Sequence, residues 1–593
     1  MRTSSRSSLG LLWAALTLAL CVGILGRGYW TPDEPREADL AWRMSWQPSK
    51  AVPLLAGAAF CEKPPFAYWV AGAAIGAWGS DAWVARLPNV LYALVTALAV
   101  GLIGRRSAGP AAGLAAAAAM STLLLSYQAA IWLATDAPLL AAVAVALLGL
   151  HLGFYATGTG ERLRGYCLMH LALAVGFLSK SAAAWMVPVL ALATLVIWER
   201  RWRELLRWEL YAGLCLQAAL VLGWVWVVYT GPDGPLRLKV FFWNNLAGRF
   251  THLDAPEELQ YAAAHRNSPG KYLIELPVYL WPWTLLVAAA VRRAWQQRSA
   301  PPQRRQAVRF ALATFVPALG VLSVAATARN IYLAPAFPGV ALLLGWWVND
   351  LATTRDRWDA RALRATSVLL LLSVIVLAAA VILLGVDSWD VLNARFLFAA
   401  VSALGLAGAL AGALVSWQAA GRGRLLRACF GLVLAYCALL IGPASQIYRR
   451  VDAWQDLGSI GRAIGRDAGG RPMILFAPDE TTRAFIDMYA RTTVGLIPGP
   501  VTAQSAEHLR DRLASDPQTL VVAQLPGRNV SRTFREWAGR LGLGERIGPA
   551  PMADDAELPP WAPQLQLRIA RRYALPNGRR YVLLARGPAT ASR

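Results

Sequence analysis

The chain has 593 residues, of which 56% are hydrophobic and only 16% are charged, and its mean hydropathy is +0.41. Because soluble domains carry about 25% charged residues, this composition excludes a soluble protein for most of the chain. The net charge of +23 would suit a nucleic-acid partner, but the basic residues fall in short gaps between apolar runs. That is the positive-inside pattern of membrane proteins, so we expect contact with anionic membrane lipids and no nucleic acid.

About thirteen apolar segments have the length and flanking charges of membrane helices. The first, residues 8–26, could also be a signal peptide, but no small-residue cleavage site follows it, so we predict a retained helix. The others are predicted at 82–104, 110–127, 138–156, 166–182, 184–198, 210–229, 273–291, 310–327, 334–348, 366–385, 395–416 and 428–445. With the basic gaps on one side, residues 1–445 form an α-helical polytopic membrane domain with long outside loops at 27–81 and 230–272.

The composition changes from residue 446 onward, where charged residues become frequent and no apolar run is long enough to cross a membrane. Short apolar runs predict buried strands at 473–477, 520–524 and 581–585. Helical patterns predict helices at 505–514 and 531–541. Residues 446–593 are therefore predicted to form a soluble α/β domain on the outer side of the membrane.

Two acidic motifs lie in the first outside loop. Asp33 and Glu34 follow the first helix closely, where they could mark a helix N-terminus that the helix dipole stabilises. Farther along, Glu62 and Lys63 could form a surface ion pair, but two prolines follow directly and would help to hold the ammonium in place. Spacing alone leaves the structural and the functional interpretation of both motifs open.

Two ionisable residues lie beside or within apolar runs. Asp136 precedes the predicted helix at 138–156, and Lys180 lies within the one at 166–182. Ionisable groups at membrane depth are costly and are functional candidates by default. Lys180 could instead reach the membrane interface from a helix end.

Several motifs together match a known family. They are Asp33-Glu34 after the first helix, Glu62-Lys63-Pro64-Pro65 in the same loop, the isolated Asp136, Asn244-x-x-x-x-Arg249-Phe250 and Arg329-x-x-Tyr332-x-x-Pro335. In these motifs, residues 8–445 resemble the protein O-mannosyltransferase superfamily, which has the GT-C fold. They are most similar to the branch of the lipid A 4-amino-4-deoxy-L-arabinose transferases.

The resemblance implies an inverting glycosyltransferase in a bacterial inner membrane. It would move 4-amino-4-deoxy-L-arabinose from undecaprenyl phosphate to a lipid A phosphate at the periplasmic face, a modification associated with polymyxin resistance. The alternative enzyme is a polyprenyl-phosphate mannosyltransferase-like protein that acts on a protein or another glycan. A transporter of lipid-linked sugars is the non-catalytic alternative, but the ionisable residues cluster in outside loops rather than along a path through the membrane.

The resemblance also assigns candidate roles to residues. Asp33 is the candidate base or acceptor-positioning carboxylate, and Asp136 and Glu62 are further catalytic candidates. The candidates for substrate binding are Lys63, Arg36, Lys180, Arg249, Tyr332, Tyr68, Asn244 and His265. We expect the cations among them, with Lys63 and Arg249 in solvated loops, to stabilise the charge of a phosphate leaving group.

No metal or other cofactor is required if these cations suffice. A divalent metal near Glu62 is left open, but a histidine that relatives carry is replaced here by Asn244 or Asn245. The expected partners are the lipid-linked donor, the acceptor and membrane lipids, and we expect the chain to act as a monomer.

Overall fold

The computed structural model describes residues 2–244, 270–325, 329–353, 356–386, 392–490, 494–525, 558–575 and 577–586. Arg249, His265 and the helix predicted at 531–541 lie outside the described residues, and so does the side chain of Asn244. These predictions therefore stay predictions.

Helices dominate the described chain up to residue 454. The first of them are α1 (Arg2–Ile24), α2 (Glu34–Trp46), α3 (Phe66–Trp78), α4 (Ala82–Ala108), α5 (Pro110–Thr122), α6 (Leu124–Ile131), α7 (Asp136–Phe154), α8 (Thr159–Lys180), α9 (Ala183–Glu199), α10 (Trp208–Tyr229) and α11 (Gly234–Leu238). They are followed by α12 (Lys271–Tyr279), α13 (Thr284–Gln296), α14 (Pro302–Val324), α15 (Phe337–Asp350), α16 (Arg357–Val386), α17 (Leu392–Gly421), α18 (Leu425–Leu439) and α19 (Ser445–Trp454). Shorter helical segments lie at Trp202–Leu206, Lys239–Asn244, Asn330–Ala336 and Leu440–Ala444.

Each segment predicted to cross the membrane lies mainly on these helices. Among the described residues, eight helices are long and apolar enough to cross a membrane, and ten are if each of two bent pairs counts as one span. The apolar part of α1 and helix α9 are shorter. The structure thus confirms an α-helical polytopic membrane protein, whereas the number of about thirteen crossings stays a prediction.

Two segments predicted as single helices are each broken in the structure. Residues 110–127 turn by 65° between α5 and α6, and residues 273–291 turn by 107° between α12 and α13. Pro282, which has no backbone N–H to donate, prevents α12 from continuing. The Leu124 N–H donates to the Trp281 carbonyl (2.9 Å), and the Trp283 indole N–H donates to the Thr122 hydroxyl (2.9 Å). Polar groups at one break are thus satisfied at the other, as an apolar environment requires.

The first outside loop, predicted at 27–81, contains two helices. Helix α2 has Pro35 in its first turn, where the missing N–H leaves no partner unsatisfied, and it packs against α3. A short antiparallel hairpin of β1 (Leu54–Leu55) and β2 (Ala58–Ala59) lies between them. The loop is therefore a packed layer on one end of the helix bundle.

A five-stranded sheet lies in the C-terminal part of the chain. Its strands β3 (Met473–Phe476), β4 (Val494–Ile497), β5 (Leu520–Leu525), β6 (Leu567–Ala574) and β7 (Arg580–Arg586) stand in the order β4-β3-β5-β7-β6. β3 pairs in parallel with β4 and β5, and β7 runs antiparallel to β5 and β6. Two separate apolar cores involve α20 (Leu457–Ala468), α21 (Glu480–Ala490) and α22 (Ala503–Ser515).

The strands predicted at 473–477, 520–524 and 581–585 and the helix predicted at 505–514 are confirmed. Strands β4 and β6 were not predicted. The exposed side of β6 includes Arg568, Arg571 and Arg572, so its sequence lacks the apolar run of a buried strand. Because α19 follows the bundle without a break, no feature marks residue 446, and the domain boundary there stays a prediction.

The C-terminal part packs against the first outside loop. Ala484 of α21 lies in one apolar cluster with Leu40 and Met44 of α2. The Asp452 carboxylate accepts hydrogen bonds from the Gly28 N–H (2.7 Å) and the Trp30 indole N–H (2.8 Å). The segment that carries Asp33 is therefore held between the helix bundle and the α/β part.

Candidate active site

Asp33 stands directly before α2, at the N-cap position, as the structural interpretation of this residue predicts. Its side chain makes no capping hydrogen bond. Instead the Arg329 guanidinium donates to both carboxylate oxygens, from Nη1 to Oδ1 (3.1 Å) and from Nη2 to Oδ2 (2.7 Å). Arg36 Nη2 also reaches Oδ1 (3.3 Å). The Asp33 side chain is 23% exposed, so this ion pair lies at an accessible surface.

Glu34, the next residue, points into the protein and is fully buried. Arg27 and Arg86 donate to its carboxylate at 2.6 and 2.8 Å, and so do the backbone N–H groups of Trp30 (2.9 Å) and Leu133 (2.8 Å). Burial opposes ionisation of Glu34, but the two guanidinium groups lower its pKa to about 2. Glu34 therefore anchors the loop to α4 and to the segment before α7.

Glu37 lies one turn into α2 and gathers three donors. Its carboxylate accepts from Lys63 Nζ (2.5 Å), Arg36 Nη2 (3.1 Å) and the Tyr68 hydroxyl (2.8 Å). Burial opposes ionisation, but Lys63 and Arg36 lower the pKa of Glu37 to about 2. The expectation that Lys63 lies in a solvated loop is wrong, since its side chain is only 16% exposed and is held against a buried carboxylate.

Glu62 is the one catalytic candidate whose carboxylate has a buried, unpartnered oxygen. Among the described residues no group donates to its Oε1. Burial raises the pKa of Glu62, and Glu480 and Glu37 raise it further, against the opposing charges of Arg36 and Lys63.

The described residues around Glu62 do not fit a divalent metal. Two cations, Arg36 and Lys63, stand in its surroundings. Among the described residues no three His, Cys, Asp or Glu side chains are grouped so that they could hold a metal ion. The described residues therefore give no support to a divalent metal near Glu62, and its presence stays a prediction.

A residue from the C-terminal part completes the cluster around α2. The Glu480 carboxylate, at the start of α21, accepts from Arg36 Nη1 at 2.6 Å. Burial opposes the charge of Arg36, but Glu37 and Glu480 raise its pKa well above the ordinary value. A second ion pair between the same helices joins Arg43 to Asp487. The two pairs fix α21 on α2.

Asp136, Lys180 and Tyr332 form the other half of the site. Asp136 begins α7 and Lys180 ends α8, and Lys180 Nζ donates to Asp136 Oδ1 at 2.5 Å. The ammonium lies 4.8 Å from the centre of the Tyr332 ring. Lys180 is thus directed at a carboxylate and an aromatic ring, rather than free to extend to the interface.

The two halves meet at residues 329–332. The Tyr332 N–H donates to the Arg329 carbonyl at 3.0 Å, which also accepts from the Tyr272 hydroxyl at 2.7 Å. This short segment therefore places Arg329 on Asp33 and Tyr332 beside Lys180. The structure thus brings together, in two connected clusters, the predicted site residues Asp33, Arg36, Glu62, Lys63, Tyr68, Asp136, Lys180 and Tyr332.

Among the described residues, every cation of this site is paired with a carboxylate, and these cations differ in exposure. The side chain of Arg329 is 42% exposed, compared with 16% for Lys63, 14% for Lys180 and 9% for Arg36. An incoming anion would therefore meet Arg329 first.

Sequence reasoning missed Arg329, Glu37 and Glu480. Arg329 stood in the quoted Arg-x-x-Tyr-x-x-Pro motif, of which only Tyr332 was chosen. The spacing of Asp33, Arg36 and Glu37 on one helical face could have identified Glu37. No sequence signal links Glu480 to Arg36, which lies 444 residues away.

Comparisons with known proteins show what the sequence and the fold are similar to. The family described as dolichyl-phosphate-mannose-protein mannosyltransferase matches residues 62–227. The undecaprenyl phosphate-α-4-amino-4-deoxy-L-arabinose arabinosyl transferase of Pseudomonas paraeruginosa is 29% identical over 376 residues, 63% of this chain and 65% of that protein. The corresponding transferase of Pectobacterium carotovorum is 31% identical over 368 residues, 61% of this chain and 62% of that protein. The chain thus matches less than two thirds of the length of these relatives.

The overall fold is shared with a solved structure over almost its whole length. ArnT from Cupriavidus metallidurans in the apo state has a TM-score of 0.70 at 17% sequence identity, with 98% of each chain covered. The same protein bound to undecaprenyl phosphate gives a TM-score of 0.69. The chain is therefore an integral-membrane protein with the GT-C fold. Its sequence is similar to the arabinosyl transferases named above, which form the branch that its motifs resemble.

Proposed function

We propose that this chain transfers 4-amino-4-deoxy-L-arabinose from undecaprenyl phosphate to a phosphate of lipid A, with inversion at the anomeric carbon. The names of its relatives support the donor and the sugar. The observation that carries the proposal is the partly exposed Asp33–Arg329 ion pair at one end of the bundle. It joins the cluster around Lys63 and Arg36 to the cluster of Asp136, Lys180 and Tyr332.

The leaving group of such a reaction is a lipid phosphate, whose negative charge rises as the glycosidic bond breaks. Fixed cations stabilise that charge more in the transition state than in the ground state. Arg329 already binds one oxyanion with two parallel hydrogen bonds, and the same guanidinium geometry suits a phosphate. Arg329 is therefore the first phosphate ligand in this proposal, with Lys63 and Lys180 in support.

Binding of phosphate to Arg329 would release the carboxylate of Asp33. With a hydroxyl acceptor, the released carboxylate would take the proton of the attacking oxygen. A lipid A phosphate is already ionised at neutral pH, since its second pKa is about 6, and Asp33 then positions the acceptor or its cationic partners. Both roles require a negative charge at this position.

Helix α15 and the segment before it support a periplasmic site. Arg329 precedes the span Asn330–Asp350, and Asp350 at the other end pairs with Arg293 at 2.6 Å. Arg293 belongs to a basic connection, and such connections face the cytoplasm in the inner membrane. The Asp33 site therefore belongs at the opposite, periplasmic face, where we also place the C-terminal α/β part.

The proposal needs no metal, because its cations come from the chain itself, and it treats the chain as a monomer. Its test is a panel of donors and acceptors. The purified chain in lipid vesicles receives undecaprenyl phosphate carrying aminoarabinose, mannose or glucose, together with lipid A or a peptide. Mass spectrometry should detect an aminoarabinose adduct on lipid A. Product from the mannose donor would support the mannosyltransferase-like alternative, and no product from any donor would refute transfer.

A further inference from the structure

A cavity of about 690 Å³ lies at the end of the bundle that carries the basic connections. Binding sites for small molecules have volumes of about 300–1,000 Å³. The cavity lies between the end of α13 and the start of α16, and its described lining includes Arg293, Gln297, Asp356, Arg357, Trp358 and Arg361. Arg293 pairs with Asp350, so this cavity and the Asp33 site lie at opposite ends of the Asn330–Asp350 span.

Arg293, which lines the cavity, is balanced in charge by carboxylates. Arg293 is buried, and its guanidinium donates to Asp350 Oδ2 (2.6 Å) and to the buried carboxylate of Asp359. The Trp347 indole N–H also donates to Asp359 Oδ1 (3.0 Å). The charge of Arg293 is therefore already compensated within the protein.

The rim of the cavity is positively charged, and two of its arginines have no carboxylate partner among the described residues. Among the described residues, no carboxylate pairs with Arg357 or Arg361, and both side chains are exposed. The rim carboxylate of Asp356 is bound by Arg292 at 2.6 Å. The Arg361 guanidinium lies 5.1 Å from the centre of the Trp358 ring, and Trp358 is 54% exposed. The rim therefore presents two guanidinium groups next to an indole.

The surface that continues from this rim is apolar. An 18-residue window within Arg357–Ile382 of α16 has a mean hydropathy of 2.8, and only 17% of that window is buried within the protein. Leu372, Ile375 and Val376 are among its exposed side chains. A ligand bound at the rim with acyl chains could therefore lay them along α16, whereas a soluble phosphate would leave this face unused.

We propose that this cavity binds the head group of an anionic phospholipid through its phosphodiester, with the acyl chains along α16. Guanidinium groups bind phosphate oxygens in pairs. Indoles favour the level of the lipid head groups, and a basic pocket on the cytoplasmic side of a bundle is suited to anionic lipids.

Native mass spectrometry of the full-length chain in detergent tests this site. Phosphatidylglycerol, phosphatidylcholine with the same acyl chains, and inorganic phosphate are titrated separately and in competition. Phosphatidylglycerol should bind more tightly than phosphatidylcholine, and Arg357→Gln/Arg361→Gln should weaken its binding roughly tenfold, because two surface cations are removed. The control Arg422→Gln/Arg424→Gln removes two exposed cations from another basic connection and should leave binding unchanged.

Equal weakening by both double variants would show attraction to general surface charge and would overturn the site. Unchanged binding in Arg357→Gln/Arg361→Gln would also overturn it. Competition by inorganic phosphate at equal concentration would assign the rim to a soluble phosphate and refute the lipid. If the double variant does not fold, Arg361→Gln alone should still weaken phosphatidylglycerol binding. No transfer reaction is measured, so the result does not depend on the proposed function.

Discussion

Asp33 and Glu34 are adjacent carboxylates that differ in burial and in binding partners. Glu34 is buried and binds two guanidinium groups and two backbone N–H groups, whereas Asp33 is partly exposed and binds Arg329. The sequence Asp-Glu does not reveal which of the two side chains faces the core, because the direction of each side chain depends on where α2 begins. The structure separates a residue that holds the loop from one that stays accessible at the candidate site.

The Glu34→Gln variant should lose stability. Removing one charge from a buried ion-pair network leaves Arg27 and Arg86 without full compensation, which costs about 3–5 kcal/mol. Thermal unfolding in detergent should therefore show a clearly lower midpoint than that of the native chain. Asp81→Asn, at the exposed N-cap of α4, is the control and should unfold like the native chain. A normal midpoint for Glu34→Gln would contradict its anchoring role.

The Arg329→Gln variant should lose transfer while it keeps its fold. It removes the most exposed cation of the site, and loss of one group that stabilises developing charge typically costs about 10²–10³ in turnover. The segment itself should stay in place, because Tyr272 binds the backbone carbonyl of Arg329. Arg298→Gln, an exposed arginine at the other end of the bundle, should transfer normally. Turnover of Arg329→Gln equal to that control would remove Arg329 from the site.

At the scale of elements, α2 acts as a platform that is held from three sides. Glu34 joins it to α4, Glu37 joins it to Lys63 before α3, and Arg36 joins it to α21. Sequence could predict that a polar loop follows the first membrane helix. It left open whether a helix begins at Asp33, and it could not predict that this helix is buried, because its core partners come from distant segments such as Ala484.

Acid should destabilise this platform. The pKa of Glu34 and of Glu37 is about 2 in the folded chain, compared with an ordinary value of 4.5. A carboxyl group whose pKa is lower in the folded chain than in the unfolded chain stabilises the fold at a pH above its unfolded pKa. This stability is lost as the pH falls towards its folded pKa. The unfolding temperature should therefore fall as the pH is lowered from about 4.5 towards 2. Glu34→Gln should show a shallower fall, and parallel curves for both proteins would contradict the assignment.

The contact between α21 and α2 should affect transfer. Coupling between contacting charged groups is about 0.5–3 kcal/mol, and each ~1.4 kcal/mol is a factor of ten in rate. Glu480→Gln, which frees one side of Arg36, should therefore lower turnover roughly tenfold. The neighbouring Asp479→Asn is the control, because Asp479 pairs with Arg579 within the α/β part and does not contact Arg36. Asp479 also accepts from the Thr482 N–H at the start of α21, and an asparagine can keep that capping hydrogen bond. Equal turnover in both variants would exclude a role for Glu480.

At the scale of the whole molecule, hydropathy and charge were sufficient to predict the helix positions, whereas the GT-C fold was predicted from the resemblance of the motifs. They failed at the two breaks, because hydrogen bonds such as that from Trp283 to Thr122 join segments far apart in the chain. Strand β6 was not predicted, because its arginines interrupt the apolar run that is typical of a buried strand. Most residues of the candidate site were predicted from motifs. Glu480 could not be predicted, because its contact with Arg36 depends on packing between distant parts of the chain.

The orientation of the chain in the membrane has a direct test. Arg298→Cys and Pro560→Cys place single thiols on exposed residues of a basic connection and of the C-terminal part, in a chain whose native cysteines are replaced. The positive-inside rule predicts that a membrane-impermeant maleimide labels only position 560 in intact spheroplasts. Equal labelling of both positions would contradict the topology.

The central claim is that a lipid-linked sugar reacts at the Asp33 end of the bundle. Its most direct test is a single-turnover measurement on Asp33→Asn in lipid vesicles, with a labelled undecaprenyl-phosphate donor and with Asp81→Asn as the control. Loss of the negative charge should lower turnover by about 10²–10⁴, while the labelled donor still binds and the unfolding temperature stays near that of the native chain. Normal turnover of Asp33→Asn with a lowered unfolding temperature would show that Asp33 only supports the fold, and would contradict the proposed site.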